Sequence, residues 1–384
     1  MKKTLLLLFY LSGFCSEAQP LPPRSYNDKE LGWMKIYKHT SDLKPFSVDH
    51  RSYSPAQLRH CETFIMWMQQ SYLPTGRLGD VRKSANEKLG QYNKDTKGLP
   101  NAYGAYAKLY YHVKKDAAGK LAPIDNDADY WNIQANGLGD ISKTVKSLTT
   151  PDQYYFTLSH YKAGKSEGMD DAHDASLSGF DVHPVLNKYT HFYISKGNAN
   201  ASAGRYYVVL LFPGNQAPWV TVTKGEFFEQ SGKWIEQTYL SEMKTNADQN
   251  SGYPAGLEQA NQRSKIRLEK ARANLKRVKE KYKNRMGEAA TLSAGHANCD
   301  FYNMTENSED MFDNAQNTTY PVFRIPKEVA DKCANGQPQW IAIYWEPFAH
   351  LHKSILTNFN FDYIYNYFFD SGKVNGIAYK PLHL

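Results

Sequence analysis

The sequence lacks the signatures of the better-defined chemistries. It has no G-x-S-x-G nucleophile elbow, no H-E-x-x-H pair to set two histidines one helical turn apart, and no complete Gly-rich phosphate loop. The nearest approach to the last is SHYKAGKS at 159–166. It ends in Gly-Lys-Ser but carries Ser159 in place of the first glycine, so its backbone is less free to cradle phosphate. NGLGDISK at 136–143 is only an incomplete G-x-G pattern. Neither a nucleotide nor any other cofactor is therefore expected. Internal repeats and low-complexity tracts are missing. After the first residues, no apolar run reaches the roughly 20 residues that span a bilayer.

What is present begins with MKKTLLLLFYLSGFCSEAQ, two lysines before an apolar run from Leu5 to Phe14 and then the small-x-small pattern Ser16-Glu17-Ala18. This reads as a secretory signal peptide over residues 1–18. The alternative is a lipoprotein signal anchored at Cys15, although Phe14 is not the small residue such signals place before the cysteine. The expected mature chain is exported, periplasmic or extracellular, with no transmembrane span. Its three cysteines are Cys61, Cys299 and Cys333. In an oxidising compartment Cys299 and Cys333 form the expected disulfide, closing a loop worth about 3–4 kcal/mol by the chain-entropy estimate. Cys61 is left as a small buried hydrophobe. Aromatic residues are abundant, with 28 Tyr, 18 Phe and 7 Trp. Tyrosine pairs an apolar body with a polar tip, so this richness serves a core, an interface or a sugar platform equally.

The order of elements points to an α+β fold. Residues 19–52 are Pro-rich and polar and read as an extended arm. Ser54, Pro55 and Gln57 have the form of an N-cap, a first-turn proline and a capping-box partner. Leu58, Cys61, Ile65, Met68 and Tyr72 then recur at helical spacing until Pro74 and Gly76. From Ala105 two β-prone runs flank a turn at Asp116 to Gly119, and further aromatic and β-branched runs start near 130, 154, 190 and 205. Helix-length patterns are missing between most of them, which favours an antiparallel sheet over repeated βαβ units. The body thus spans 53–222. Thr223 and Glu226 form a second capping box, opening a helix to about Lys244. A longer helix runs from about Gly256 to Arg285, with Leu257, Ser264, Leu268, Ala271, Leu275, Val278 and Tyr282 on one coiled-coil-like seam. Residues 223–290 read as an antiparallel helical hairpin standing out from the body. A strand near 339 and a helix near 357 complete the body over 291–384.

VTVTKGEFFEQ, the basic helix ending YKNRMGEAATL, and TNFNFDYIYNYFF resemble stretches of uncharacterised secreted proteins of Bacteroidetes-type bacteria. The resemblance covers about half of the chain. It implies export and an envelope setting, and it carries no activity or site residue across.

Three stretches bear on chemistry. DDAHDASLSGFDVHP, 170–184, supplies Asp171, His173, Asp181 and His183 as the candidate metal ligands, since carboxylate and neutral imidazole suit zinc or manganese. Crowded side chains and no recognisable third or fourth spacing make a solvated turn-rich loop the expected reading, without metal. WEPFAHLHK, 345–353, offers Glu346, His350 and His352; the two histidines share a face if the segment is extended but point roughly 200° apart if it is helical, and loop or interface histidines are the expected reading. The third feature is charge. From Arg263 to Arg285 eleven Lys/Arg meet only Glu269 and Glu280, a net +9 that exceeds the whole chain's +7. Lys270, Arg277 and Lys281 are the candidate residues for an anionic surface. No aromatics interleave with them to stack bases, which disfavours nucleic acid as the partner. Two functional classes follow. The first is a non-catalytic envelope protein binding another protein, a polysaccharide or an anionic surface. The alternative is a hydrolase of envelope or extracellular polymer, metal-dependent through the Asp/His loop.

Overall fold

A computed structural model of the chain describes residues 34–36, 46–48, 51–85, 100–115, 117–150, 152–158, 179–180, 182–194, 206–293, 300–302, 311–312 and 319–383. The signal-like segment, Ser159–Ser166 and most of the Asp/His-rich stretch lie outside the described residues. In chain order the elements are β1 (Lys35–Ile36), β2 (Phe46–Val48), β3 (Arg51–Tyr53), α1 (Pro55–Ser71), β4 (Leu78–Ala85), β5 (Tyr103–Tyr110), β6 (Val113–Lys115), β7 (Leu121–Pro123), β8 (Ala128–Ala135), β9 (Ser142–Thr144), β10 (Tyr155–Leu158), β11 (Thr190–Ile194) and β12 (Tyr206–Leu211). They continue with β13 (Val220–Thr221), α2 (Lys224–Gln249), α3 (Pro254–Lys281), β14 (Thr291–Ser293), β15 (Thr319–Arg324), α4 (Lys327–Ala334), β16 (Ile341–Trp345), α5 (Ala349–Asn358) and α6 (Phe361–Phe369).

The fold is α+β. A seven-stranded sheet runs β1-β4-β5-β8-β16-β12-β11, antiparallel throughout except for the β1–β4 pair. A second sheet runs β13-β15-β10-β9, with β14 on β15. Side chains of a strand alternate between its two faces, and both faces of the first sheet are covered. Tyr207, Val209 and Leu211 of β12 enter a core shared with α1, α5 and α6, whereas Tyr206, Val208 and Leu210 enter a core shared with Phe156 and Phe323 of the second sheet. This double burial explains why RYYVVLLF reads as an unbroken apolar run rather than an alternating one. The opposite face of the second sheet, with Tyr155, Tyr320 and Val322, meets Phe227, Phe228, Ile235, Leu268, Ala271, Val278 and Tyr282 of the hairpin in a third core. The layers are thus helices, sheet, sheet and hairpin base.

Local chemistry sets the helix starts. At α1 the Ser54 side chain accepts from the Gln57 N–H at 3.3 Å, and the Gln57 side chain accepts from the Ser54 N–H at 2.9 Å. Both arms of the expected box are present. At α2 only one arm forms. Thr223 Oγ1 accepts from the Glu226 N–H at 3.2 Å, while the Glu226 carboxylate turns to the Tyr155 hydroxyl and to Arg324 at 2.9 Å. The remaining early donors of α2 are met by the returning chain, Lys224 N–H on Glu288 O and Gly225 N–H on Met286 O, each at 2.8 Å. The turn expected after Lys115 joins β6 to β7, with Gly119 at φ +75° where a side chain would be strained.

Several expectations need correction. The proposed arm over 19–52 carries β1, which adds to the free edge of β4, and β2, which pairs with β3, so part of it belongs to the sheet framework. Helix resumes at Ala349, earlier than expected, and breaks before α6, where the Asn360 side chain caps the Tyr363 N–H at 2.9 Å. The Cys299–Cys333 disulfide is not formed. Cys333 is a free thiol on α4, fully buried beside Trp340 and Phe323 in the second core, so its side chain points into the body. Cys299 lies outside the described residues. Cys61 is fully buried, as its place on the α1 stripe implies, and burial pushes its thiol up to about 12.

Candidate functional site

The hairpin is the part of the molecule where charge is most concentrated on a single element. Its two arms are in antiparallel register: Glu236 meets Arg272 at 2.6 Å, Glu242 meets Arg267, and Asn246 Nδ2 donates to Ser264 Oγ at 3.0 Å. The seam is apolar where it joins the third core, with Leu268, Ala271 and Val278 buried and Leu275 partly so. Beyond Tyr239 on α2 and before Leu268 on α3 no residue belongs to that core, so about 15 Å of helix extends past it at 1.5 Å per residue.

The two arms differ in charge. On α2, Glu226, Glu229, Glu236, Glu242 and Asp248 outnumber Lys224, Lys233 and Lys244. These acids draw in part of the basic arm. Arg272 hydrogen-bonds both Glu236 oxygens, which lowers the Glu236 carboxyl from its ordinary range. Glu242 is shared by Arg267 and the Tyr302 hydroxyl. At the hairpin base the Glu288 carboxyl is lowered to about 2 by hydrogen bonds from Arg285 and the buried Lys224. Four of the exposed cations of α3 line up. Arg263, Lys270, Arg277 and Lys281 step by seven, seven and four, which keeps them within about 20° of one line on α3 and roughly a third of a turn from the seam. All four are exposed, and they span about 27 Å of helix. Lys270, Arg277 and Lys281, chosen from composition, therefore share one face, and Arg263 extends it toward the tip.

The Asp/His-rich stretch is described only at its C-terminal end. Asp171, His173 and Asp181 lie outside the described residues. His183 is buried, with Nε2 donating to Leu356 O at 2.8 Å and Nδ1 accepting from the Leu186 N–H at 3.4 Å. Nε2 thus ties the segment to α5 and Nδ1 braces its own turn, and a metal would have to displace one of these bonds. Phe180 enters the first core, edge-on to His191 at 5.0 Å and against Tyr207 at 4.8 Å. His352 stacks on Tyr207 at 4.0 Å and accepts at Nδ1 from Trp345 Nε1 at 3.3 Å. The residues of WEPFAHLHK diverge: His352 points into the core, His350 lies exposed beside Tyr72, and Glu346 accepts from the Tyr130 N–H at 2.8 Å.

Two groupings were not read from the sequence. His112, Asp125 and Asp127 bring one ligand-type atom each to within 4.8 Å of one another at the base of the β6–β7 hairpin. His112 Nδ1 lies 2.5 Å from Asp125 Oδ2, a contact that clasps the two strands, and Asp125 Oδ1 accepts from the Asp127 N–H at 3.0 Å within the returning segment. The signal for it was in YHVKKDAAGKLAPIDND, where the histidine and the acids flank the turn. The second grouping centres on Arg77, which is buried with its guanidinium 4.1 Å from the ring centres of both Tyr111 and Phe348. It pairs with Asp129 at 3.3 Å, and the Tyr111 hydroxyl donates to the same carboxylate at 2.5 Å. Burial, then the Asp129 hydrogen bond, pushes the Tyr111 hydroxyl above its ordinary range.

Among the described residues no helix is long and apolar enough to cross a membrane. No family model, no curated protein and no solved structure matches the chain.

Proposed function

We propose that this is an exported, non-catalytic binding protein of the cell envelope whose helical hairpin meets an anionic polymer or surface through the basic stripe of α3. The observation that carries the reading is the segregation of charge. The acids of α2 pair with Arg267 and Arg272, and Arg263, Lys270, Arg277 and Lys281 lie exposed along one line of the same helix. Cations fixed in a row attract an extended polyanion without needing a deep pocket. Export rests on the N-terminal charge and apolar pattern. The alternative, a metal-dependent hydrolase built on the Asp/His-rich stretch, is less well supported because His183 already spends both ring nitrogens on the fold.

Retention on immobilised heparin tests the reading. Wild type should be held at low salt and released by about 0.5 M salt, where screening shortens the reach of exposed charges to a few ångströms. The triple variant Lys270→Glu, Arg277→Glu, Lys281→Glu should pass through unretained. Retention that survives both high salt and the reversals would remove the stripe as the cause. A mass spectrum of the exported protein should begin near Gln19, and a diacylated Cys15 would replace the free form with a lipoprotein.

A further inference from the structure

The hairpin seam changes character toward its tip. Leucine, alanine and valine fill it near the third core, but the positions that continue it are Ser264 and Asn261 on α3 and Glu242 and Asn246 on α2. Short polar side chains do not fill the space between two helices. A polar groove of about 420 Å³ remains, bordered by Glu242, Asn246, Gln249, Gln259, Arg263 and Arg267. Its floor is fixed: Asn246 Nδ2 donates to Asn261 Oδ1 at 3.2 Å and to Ser264 Oγ at 3.0 Å, and Ser264 is buried. One wall is fixed as well, since Glu242 is held by Arg267 and the Tyr302 hydroxyl. The side chains of Gln249, Gln259 and Arg263 make no hydrogen bond or ion pair among the described residues.

The lining specifies a chemistry. Side-chain amides both donate and accept, which matches hydroxyl groups on adjacent carbons. A guanidinium matches a carboxylate through paired N–H donors. A site built from both suits a ligand with hydroxyls and a carboxylate in one unit. A bare phosphate monoester, as in phosphatidic acid, would use the cations and the amide N–H donors but leave the amide carbonyls without a hydroxyl to accept from. Arg263 also belongs to the stripe, so a chain seated in the groove has a continuous path onto Lys270 and Arg277.

We propose that the tip groove seats a uronic acid unit of an acidic polysaccharide whose chain continues along the basic stripe of α3. This rests on the reading of the stripe as an anion-binding face and narrows its ligand from anions in general to acidic sugars.

The test uses the full-length mature protein and calorimetric titration with three probes: a trimer of galacturonic acid, the neutral trimer of galactose, and vesicles of phosphatidylglycerol with phosphatidylcholine. A groove variant, Gln249→Leu with Gln259→Leu, changes two exposed residues and leaves every charge in place, and circular dichroism checks that it is folded. Wild type should bind the galacturonate trimer and not the neutral one. The groove variant should lose at least about tenfold in that affinity, while its retention on immobilised dextran sulfate, a polyanion without uronic acid that reads the stripe alone, is unchanged. Equal binding of the trimer by wild type and groove variant would overturn the groove as the seat. Binding of vesicles without binding of the trimer would overturn the sugar assignment and leave the anionic-surface reading standing. Failure to bind the trimer, the vesicles or heparin would overturn both.

Discussion

Replacing Arg77 by methionine tests whether the clamp at the end of the first sheet is held by its charge. Methionine keeps the volume between the Tyr111 and Phe348 rings and removes the guanidinium that meets Asp129 at 3.3 Å. Asp129 is mostly buried, with 14% of its side chain exposed, so the variant leaves a carboxylate with the Tyr111 hydroxyl but without its cation. Breaking a buried pair from one side costs about 3–5 kcal/mol, chiefly from the charge left behind. The loss of two ring–cation contacts overlaps with that figure and does not add to it in full. Urea unfolding should therefore show a fall of about 3 kcal/mol or more at neutral pH. Adding Asp129→Asn removes the stranded charge and keeps a partner for Tyr111, so the double variant should recover about 2 kcal/mol. A deficit below about 1 kcal/mol at neutral pH, or a double variant no more stable than the single, would refute the buried-pair reasoning.

Further outcomes follow from other parts of the structure. Thr223→Ala removes the single capping bond at α2 and should cost about 1 kcal/mol in thermal or urea unfolding; no change would mean that the bonds from Glu288 and Met286 suffice. Cys61 and Cys333 should resist thiol reagents in the native protein and react once denatured, since both are fully buried and burial raises both thiols; fast native labelling of either would contradict their placement. His60, among Tyr103, Tyr367 and Phe368, is lowered to about 4, first by burial and then by the Arg59 charge. The unfolded chain, with histidine near 6.5, then binds the extra proton more readily, so this contribution is complete above about 6.5 and is lost as pH falls through about 4. An imidazole resonance of His60 that titrates near 6.5 would show that the ring is not shielded.

Parts of this architecture were readable in the chain because they are local. The Ser54 and Gln57 box, the turn at Gly119 and the seam from Ser264 to Tyr282 each depend on residues within a few turns of one another, and each forms as its spacing implies. The stripe of Arg263, Lys270, Arg277 and Lys281 was half legible. Composition drew attention to the basic arm, but which of its cations meet an acid of α2 depends on where Glu236 and Glu242 fall across the hairpin register. The Arg77 clamp was hidden because Tyr111, Asp129 and Phe348 come from three separate segments brought together by sheet order. The disulfide expectation failed for a related reason. Loop composition and compartment favoured Cys333 as a partner, but amphipathic α4 turns that side chain into the core with Val329 and Ala330.

The central claim, that the exposed stripe of α3 draws the protein to polyanions, is tested most directly by the salt dependence of its affinity for a fluorescently labelled polygalacturonate, read by anisotropy. Each cation that neutralises a polymer charge releases counterions, and by the single-strand coefficient four cations give a slope of log K against log salt of at most about −3. Wild type should approach that value, and the triple variant Lys270→Glu, Arg277→Glu, Lys281→Glu should show no measurable binding at any salt concentration. A slope that stays unchanged in the triple variant, with affinity to match, would place the binding elsewhere on the molecule and contradict the account.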